Sequence, residues 1–302
     1  MTINVGLLVT YIVSLLIMVG FPIALAVFFT RRFKVSWWPI LAGLITFVVS
    51  QGLRIPASSG LNILFTNGTI PVPPDAWIPF LNAAIAGLMA GFFEETCRYI
   101  GFRILRKKAK PYTSAIGLGI GHGGTEAILL GVLGTGISLF SVLTYNAGAQ
   151  LASGTSTDQV SYVMAQIAQF WAAPWLNGLL PGVERIIALS AQILLSVLVW
   201  KAVVNRQALW FILAIFYHAV IDAVSVFLSQ LNWNYWAIEG VLAIFLVANL
   251  YMIYYFWKQE SEKEVDENDD DEDDDEDEDG EDEDDADDVA EDENTVEDEK
   301  IK

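Results

Sequence analysis

Cysteine and histidine are nearly missing from this chain. Cys97 is the single cysteine in 302 residues, and His122 and His218 are the two histidines. One cysteine excludes an intramolecular disulfide and a multi-cysteine metal site; placed within an apolar run, it reads as a small buried filler. No His-x-x-x-His pair occurs, the spacing that would set two metal ligands on one helical face. The opening residues Met1-Thr2-Ile3-Asn4 carry no charge. The basic start of a secretory signal is therefore lacking, and the first apolar run reads as a retained span. The stretch Gly117-Leu-Gly-Ile-Gly-His-Gly-Gly124 has no Lys-Ser/Thr after it, which removes a phosphate-loop reading. Close helix packing, or backbone approach to a substrate beside His122, remains for it. No internal repeat of useful length is visible, which counts against a transporter built from inverted halves.

What the chain has in abundance is apolar sequence in blocks. Hydrophobic residues make up 54% of it, too many and too clustered for one soluble domain. Its net charge of −20 is split unevenly. The last 44 residues, Gln259–Lys302, hold 29 acidic residues and 3 lysines, so the body before them is slightly basic. Seven runs approach the ~20 apolar residues of a crossing: to Phe29, Trp38–Gly52, Ala76–Leu105, Ser114–Thr144, Val183–Val204, Ala208–Leu228 and Trp236–Trp257. With the N-terminus outside, Arg31, Arg32, Lys34, Arg103 to Lys110, Lys201, Arg206 and Lys258 share the inner side, and Arg54 alone is left in an outer loop. Val160–Leu180, bearing Trp171 and Trp175, reads as an outer interfacial or re-entrant helix. The expected fold is all-α: a polytopic membrane helix bundle over 1–258, followed by a disordered acidic tail over 259–302. That tail is expected to solvate and self-repel, or to bind cations or a basic partner.

The costly residues lie inside the spans. Glu94, Glu95 and Arg98 sit within one helical turn of an otherwise apolar run, and such groups persist at bilayer depth when they pair or do chemistry. His122 and Glu126 are four apart, as are His218 and Asp222, so each histidine has an acid on its own helical face. Counted from the inner span ends, Glu94, His122 and His218 lie at roughly 12, 14 and 16 Å, one common depth. Two neighbouring carboxylates in a low dielectric cannot both ionise freely. Arg98 would hold one as the anion and leave the other to take a proton from water. The histidines can position that water or donate to a developing oxyanion, with Glu126 and Asp222 fixing their orientation. Glu184-Arg185 reads either as an interfacial ion pair or as support for the same cavity, and Glu239 as interfacial.

Glu94-Glu95-x-x-Arg98, Gly121-His122-Gly-Gly-x-Glu126-Ala127 and His218-x-x-x-Asp222 resemble, in that order, the YhfC family of glutamic-type intramembrane proteases. That family is similar to the PrsW and CAAX-protease/bacteriocin-processing groups. The resemblance implies that the first glutamate activates water, that the histidines bind it or form the oxyanion hole, and that the acid after the last histidine completes the site. Its pattern carries a further histidine where this chain has Gln192.

The function expected is therefore intramembrane peptide hydrolysis on a membrane-embedded or membrane-proximal peptide. The site would comprise Glu94, Glu95, Arg98, His122, Glu126, His218 and Asp222. No nucleic-acid partner and no cofactor is expected. Arg98 places positive charge where a dication would sit, and a zinc ion, if used, would fall to His122, His218 and Glu94. The competing readings are an ion- or proton-coupled membrane carrier and a non-catalytic membrane scaffold. The expected location is the plasma membrane of a prokaryote, with the tail cytoplasmic.

Overall fold

The structure, a computed structural model, describes residues 2–105, 111–146 and 156–276. Arg106, Lys107, Lys108 and Lys110, most of the polar loop before Asp158, and the tail beyond 276 lie outside the described residues. Within them every regular element is helical, and seven helices are long and apolar enough to cross a membrane.

α1 (Val5–Arg32) starts where the Asn4 side chain accepts the Leu7 N–H at 3.1 Å, and ends in Arg31 and Arg32. α2 (Trp38–Thr66) has Pro39 in its first turn and Pro56 inside it. It runs well past the expected end at Gly52, so Arg54 is a helix residue and not a loop charge. Pro56 lacks one N–H but leaves the flanking turns bonded, so proline and glycine together overstate the break. α3 (Ile78–Ile104) is the Glu-Glu helix. α4 (Tyr112–Leu129) continues through a π-helical stretch, Leu130–Gly136, into α5 (Ile137–Asn146), which together form one expected span. α6 (Thr157–Ala172) opens on a reciprocal Ser156–Gln159 capping box. It stops before Pro174 and is followed by the 3-10 turn Trp175–Leu179. The expected interfacial helix is thus two short pieces, anchored by Trp171 packing with Leu7 and Ile167. α7 (Leu180–Val204), α8 (Ala208–Gln230) and α9 (Tyr235–Glu276) complete the described residues. Residues 258–302 form a unit separate from 1–257.

α7 is the central helix. It is buried along most of its length, and Leu194, Leu195 and Val197 to Val199 form the core with Phe102, Ala115 and Leu118. The remaining spans bury one stripe and leave apolar side chains such as Leu16, Leu88, Phe216 and Val247 exposed, the surface that lipid covers in a membrane bundle. Two glycine contacts place the functional helices. Gly121 of α4 lies against the Ile40 carbonyl of α2, and Gly87 of α3 against the Ala219 carbonyl of α8. A β-carbon at either position would overlap backbone, so these helix pairs approach as closely as small residues permit.

Candidate active site

Glu94, His122 and His218 each lie ten residues from an end of their helices, the C-terminal end of α3 and the N-terminal ends of α4 and α8. That is ~15 Å along each axis, close to the common depth the spacing predicts. The structure brings them together on one oxygen. Glu94 Oε2 is 3.1 Å from His122 Nε2, 3.9 Å from His218 Nε2 and 4.0 Å from an Arg98 nitrogen. Glu95 turns the other way: its Oε1 accepts from Arg98 and, at 2.7 Å, from His218 Nδ1–H. Arg98 also donates to Gln192 Oε1. Glu95, Arg98 and His122 are fully buried. The two glutamates therefore have different tasks, Glu95 securing Arg98 and His218 while Glu94 stands at the point of convergence.

The second acids are used differently from each other. Asp222 Oδ2 is 3.7 Å from His218 Nε2, as its spacing implies. Glu126 does not orient His122. It accepts from Arg185 at 2.7 Å and from Gln192 Nε2 at 2.6 Å, because α7 supplies donors on the face that Glu126 presents. Arg185 also reaches Glu184 at 2.6 Å, so this ion pair extends into the site. His122 is held instead by Thr46, whose hydroxyl lies 3.0 Å from Nδ1, and by the Phe47 ring edge-on at 5.2 Å. Glu239, expected at an interface, has Oε2 buried with no hydrogen-bond partner among the described residues.

Three further residues of α2 belong to the site. Glu94 Oε1 accepts from Gln51 Nε2 at 3.1 Å and from Arg54 at 3.0 Å, while Thr46 serves His122. The signal for them was available: Thr46, Ser50, Gln51 and Arg54 recur at helical spacing inside an apolar run. A cleft of about 70 Å³ reaches the site, lined by Glu126, Arg185, Gln192, His218, Asp222 and Asn249 among others. It admits a few waters.

Among the described residues no three His, Cys, Asp or Glu side chains stand as a ready metal-ligand group. In kind and direction, however, the donors fit a zinc ion. Both histidines turn Nδ1 to a partner, Thr46 or Glu95, and present Nε2 to Glu94. Two imidazoles with outer hydrogen bonds plus a carboxylate are a zinc-type donor set. The opposing feature is charge, since Glu94 already faces Arg54 and Arg98.

Comparison with known proteins agrees with the family resemblance. The sequence model of the family described as "YhfC intramembrane metalloprotease" matches residues 15–242. The chain is 30% identical over 240 residues to "Uncharacterized membrane protein YhfC" of Bacillus subtilis (strain 168), an alignment covering 77% of this chain and 89% of that protein. No solved structure matches.

Proposed function

The chain belongs to the YhfC family, and on that premise we propose that it is a peptide hydrolase acting within or at the membrane. The observation that supports this most is the convergence of Glu94, His122 and His218 from three helices on one buried oxygen. Helix–helix glue needs only pairs, and groups so costly at this depth are retained for a task.

In this reading Glu94 takes the proton of the attacking water and returns it to the departing amine. Glu95 does no proton transfer. It keeps Arg98 and His218 in place, so that His218 turns Nε2 toward the cleft where Asp222 stands. His218, its Nδ1–H given to Glu95, orients the water by accepting from it at Nε2, and His122, fixed by Thr46 and Phe47, donates to the carbonyl oxygen as it becomes negative. The cleft beside His218 and Asp222 supplies the water. A divalent ion held by Nε2 of His122, Nε2 of His218 and Glu94 would supply a water acidified toward neutrality.

The test is incubation of purified protein in liposomes with a library of single-span membrane peptides, read by mass spectrometry for new termini. Cleavage by the wild type that vanishes in the Glu94→Gln, Glu95→Gln double variant is expected. Cleavage retained in full by that variant would sink the reading.

A further inference from the structure

Glu94 can take the proton of the attacking water only after one of its present donors has left. Each of its oxygens already meets two donors, Oε1 Gln51 and Arg54, and Oε2 His122 and, at 3.5 Å, Gln192 Nε2. A carboxylate so saturated with donors must lose one before a water can hand it a proton. The neighbours differ sharply in freedom to leave. Arg98 is 0% exposed and tied to Glu95 and Gln192. His122 is 0% exposed and tied to Thr46. Arg54 is 32% exposed, and its described hydrogen bond is the one to Glu94. It also lies two residues before Pro56, whose missing N–H leaves the Gly52 carbonyl without its usual helical partner. The long, partly exposed side chain is thus the charged donor freest to leave, while Arg98 and His122 are held.

We propose that Arg54 is a catalytic residue of this site, a removable cap on Glu94 that passes its hydrogen bond to the scissile carbonyl oxygen of a bound peptide. This rests on the hydrolase reading and adds a residue to it. When a peptide carbonyl enters beside Glu94, the guanidinium exchanges one acceptor for another. That single movement opens one acceptor position on Glu94 Oε1, Gln51 keeping the other, and places a charged donor where negative charge develops. The water O–H bond then breaks toward Glu94 as the new C–O bond forms, and the carbonyl π pair moves onto the oxygen that Arg54 holds. On collapse that pair re-forms the C=O bond, the C–N bond breaks, and the proton on Glu94 goes to the amine. Without a peptide the cap stays on, and the base is idle.

The experiment uses the full chain in phosphatidylethanolamine/phosphatidylglycerol liposomes and, as probe, a quenched fluorescent version of the library peptide that the wild type cleaves fastest. Arg54→Ala is expected to lower kcat by about 10²–10³-fold, the loss typical of one oxyanion donor, with KM within threefold. Guanidinium at 50 to 100 mM, on the order of a mild salt, should restore at least tenfold of that loss, and Arg54→Lys should retain an intermediate rate. Thermal unfolding of each variant separates chemistry from folding, and Arg54→Gln provides a second substitution of similar length. A kcat for Arg54→Ala or Arg54→Gln within threefold of wild type overturns the proposal. So does a loss without guanidinium rescue that tracks the unfolded fraction. If the wild type cleaves no library member, the hydrolase reading itself fails and the cap falls with it; cleavage by wild type and Arg54→Ala alike refutes the cap alone.

Discussion

His218 donates from Nδ1 to Glu95 Oε1 at 2.7 Å, joining residues 123 positions apart in the chain. This bond determines which ring nitrogen faces the cleft, because a neutral imidazole committed at Nδ1 presents a lone pair at Nε2. It also separates the two adjacent glutamates, one spent on architecture and one left at the point of convergence.

That division predicts unequal effects. Glu94→Gln keeps the shape but removes the base and turns an amide N–H2 toward one pair of donors, so cleavage should fall by about 10²–10⁴-fold and the unfolding temperature should drop. Steady-state kinetics and a thermal scan on the same preparation check both halves.

Arg98→Met makes the opposite change. It leaves Glu95 charged in a fully buried position and Gln192 Oε1 without its donor. Breaking a buried pair from one side costs about 3–5 kcal/mol, so the variant should unfold far more easily than Glu94→Gln. Adding Glu95→Leu to it should recover part of the loss, since the uncompensated charge is then gone. Chemical denaturation in mild detergent measures this.

Packing predicts a third contrast. Gly121→Ala pushes a methyl into the Ile40 carbonyl of α2 and carries His122 with it, at a cost of about 1–3 kcal/mol and a loss of cleavage larger than the unfolded fraction explains. Gly20→Ala, with nothing within 4 Å, should leave stability and activity as they are. Paired thermal scans and cleavage assays read the difference.

Charge predicts the metal result. Arg54 at 3.0 Å and Arg98 at 4.0 Å already face the carboxylate an ion would need, so cleavage should persist after exhaustive chelation. Stoichiometric zinc whose removal stops cleavage and whose return restores it would overturn this. In that event His122→Ala and His218→Ala should each abolish zinc binding, as read by elemental analysis independently of activity.

By itself the sequence determined the class of the fold and singled out the buried charged residues that the structure brings together. Apolar runs of crossing length admit one kind of backbone, the helix, because nothing else satisfies its own polar groups in lipid. Glu94, Glu95, Arg98, His122, His218 and Asp222 stood out because each is expensive where it lies, and helical rise alone set three of them at one depth. What i,i+4 spacing cannot specify is the neighbour that fills the face it defines. Glu126 shares a face with His122 in sequence, yet α7 brings Arg185 and Gln192 there first, while His122 finds Thr46 on α2. Arg54 was hidden for a different reason. Glycine and Pro56 suggested a helix end, whereas packing against α3 and α4 carries α2 through them and sets the guanidinium on Glu94. Residue type and period are local properties, legible one segment at a time; the partner of a buried charge is decided by which helices meet, and only the tertiary structure shows that.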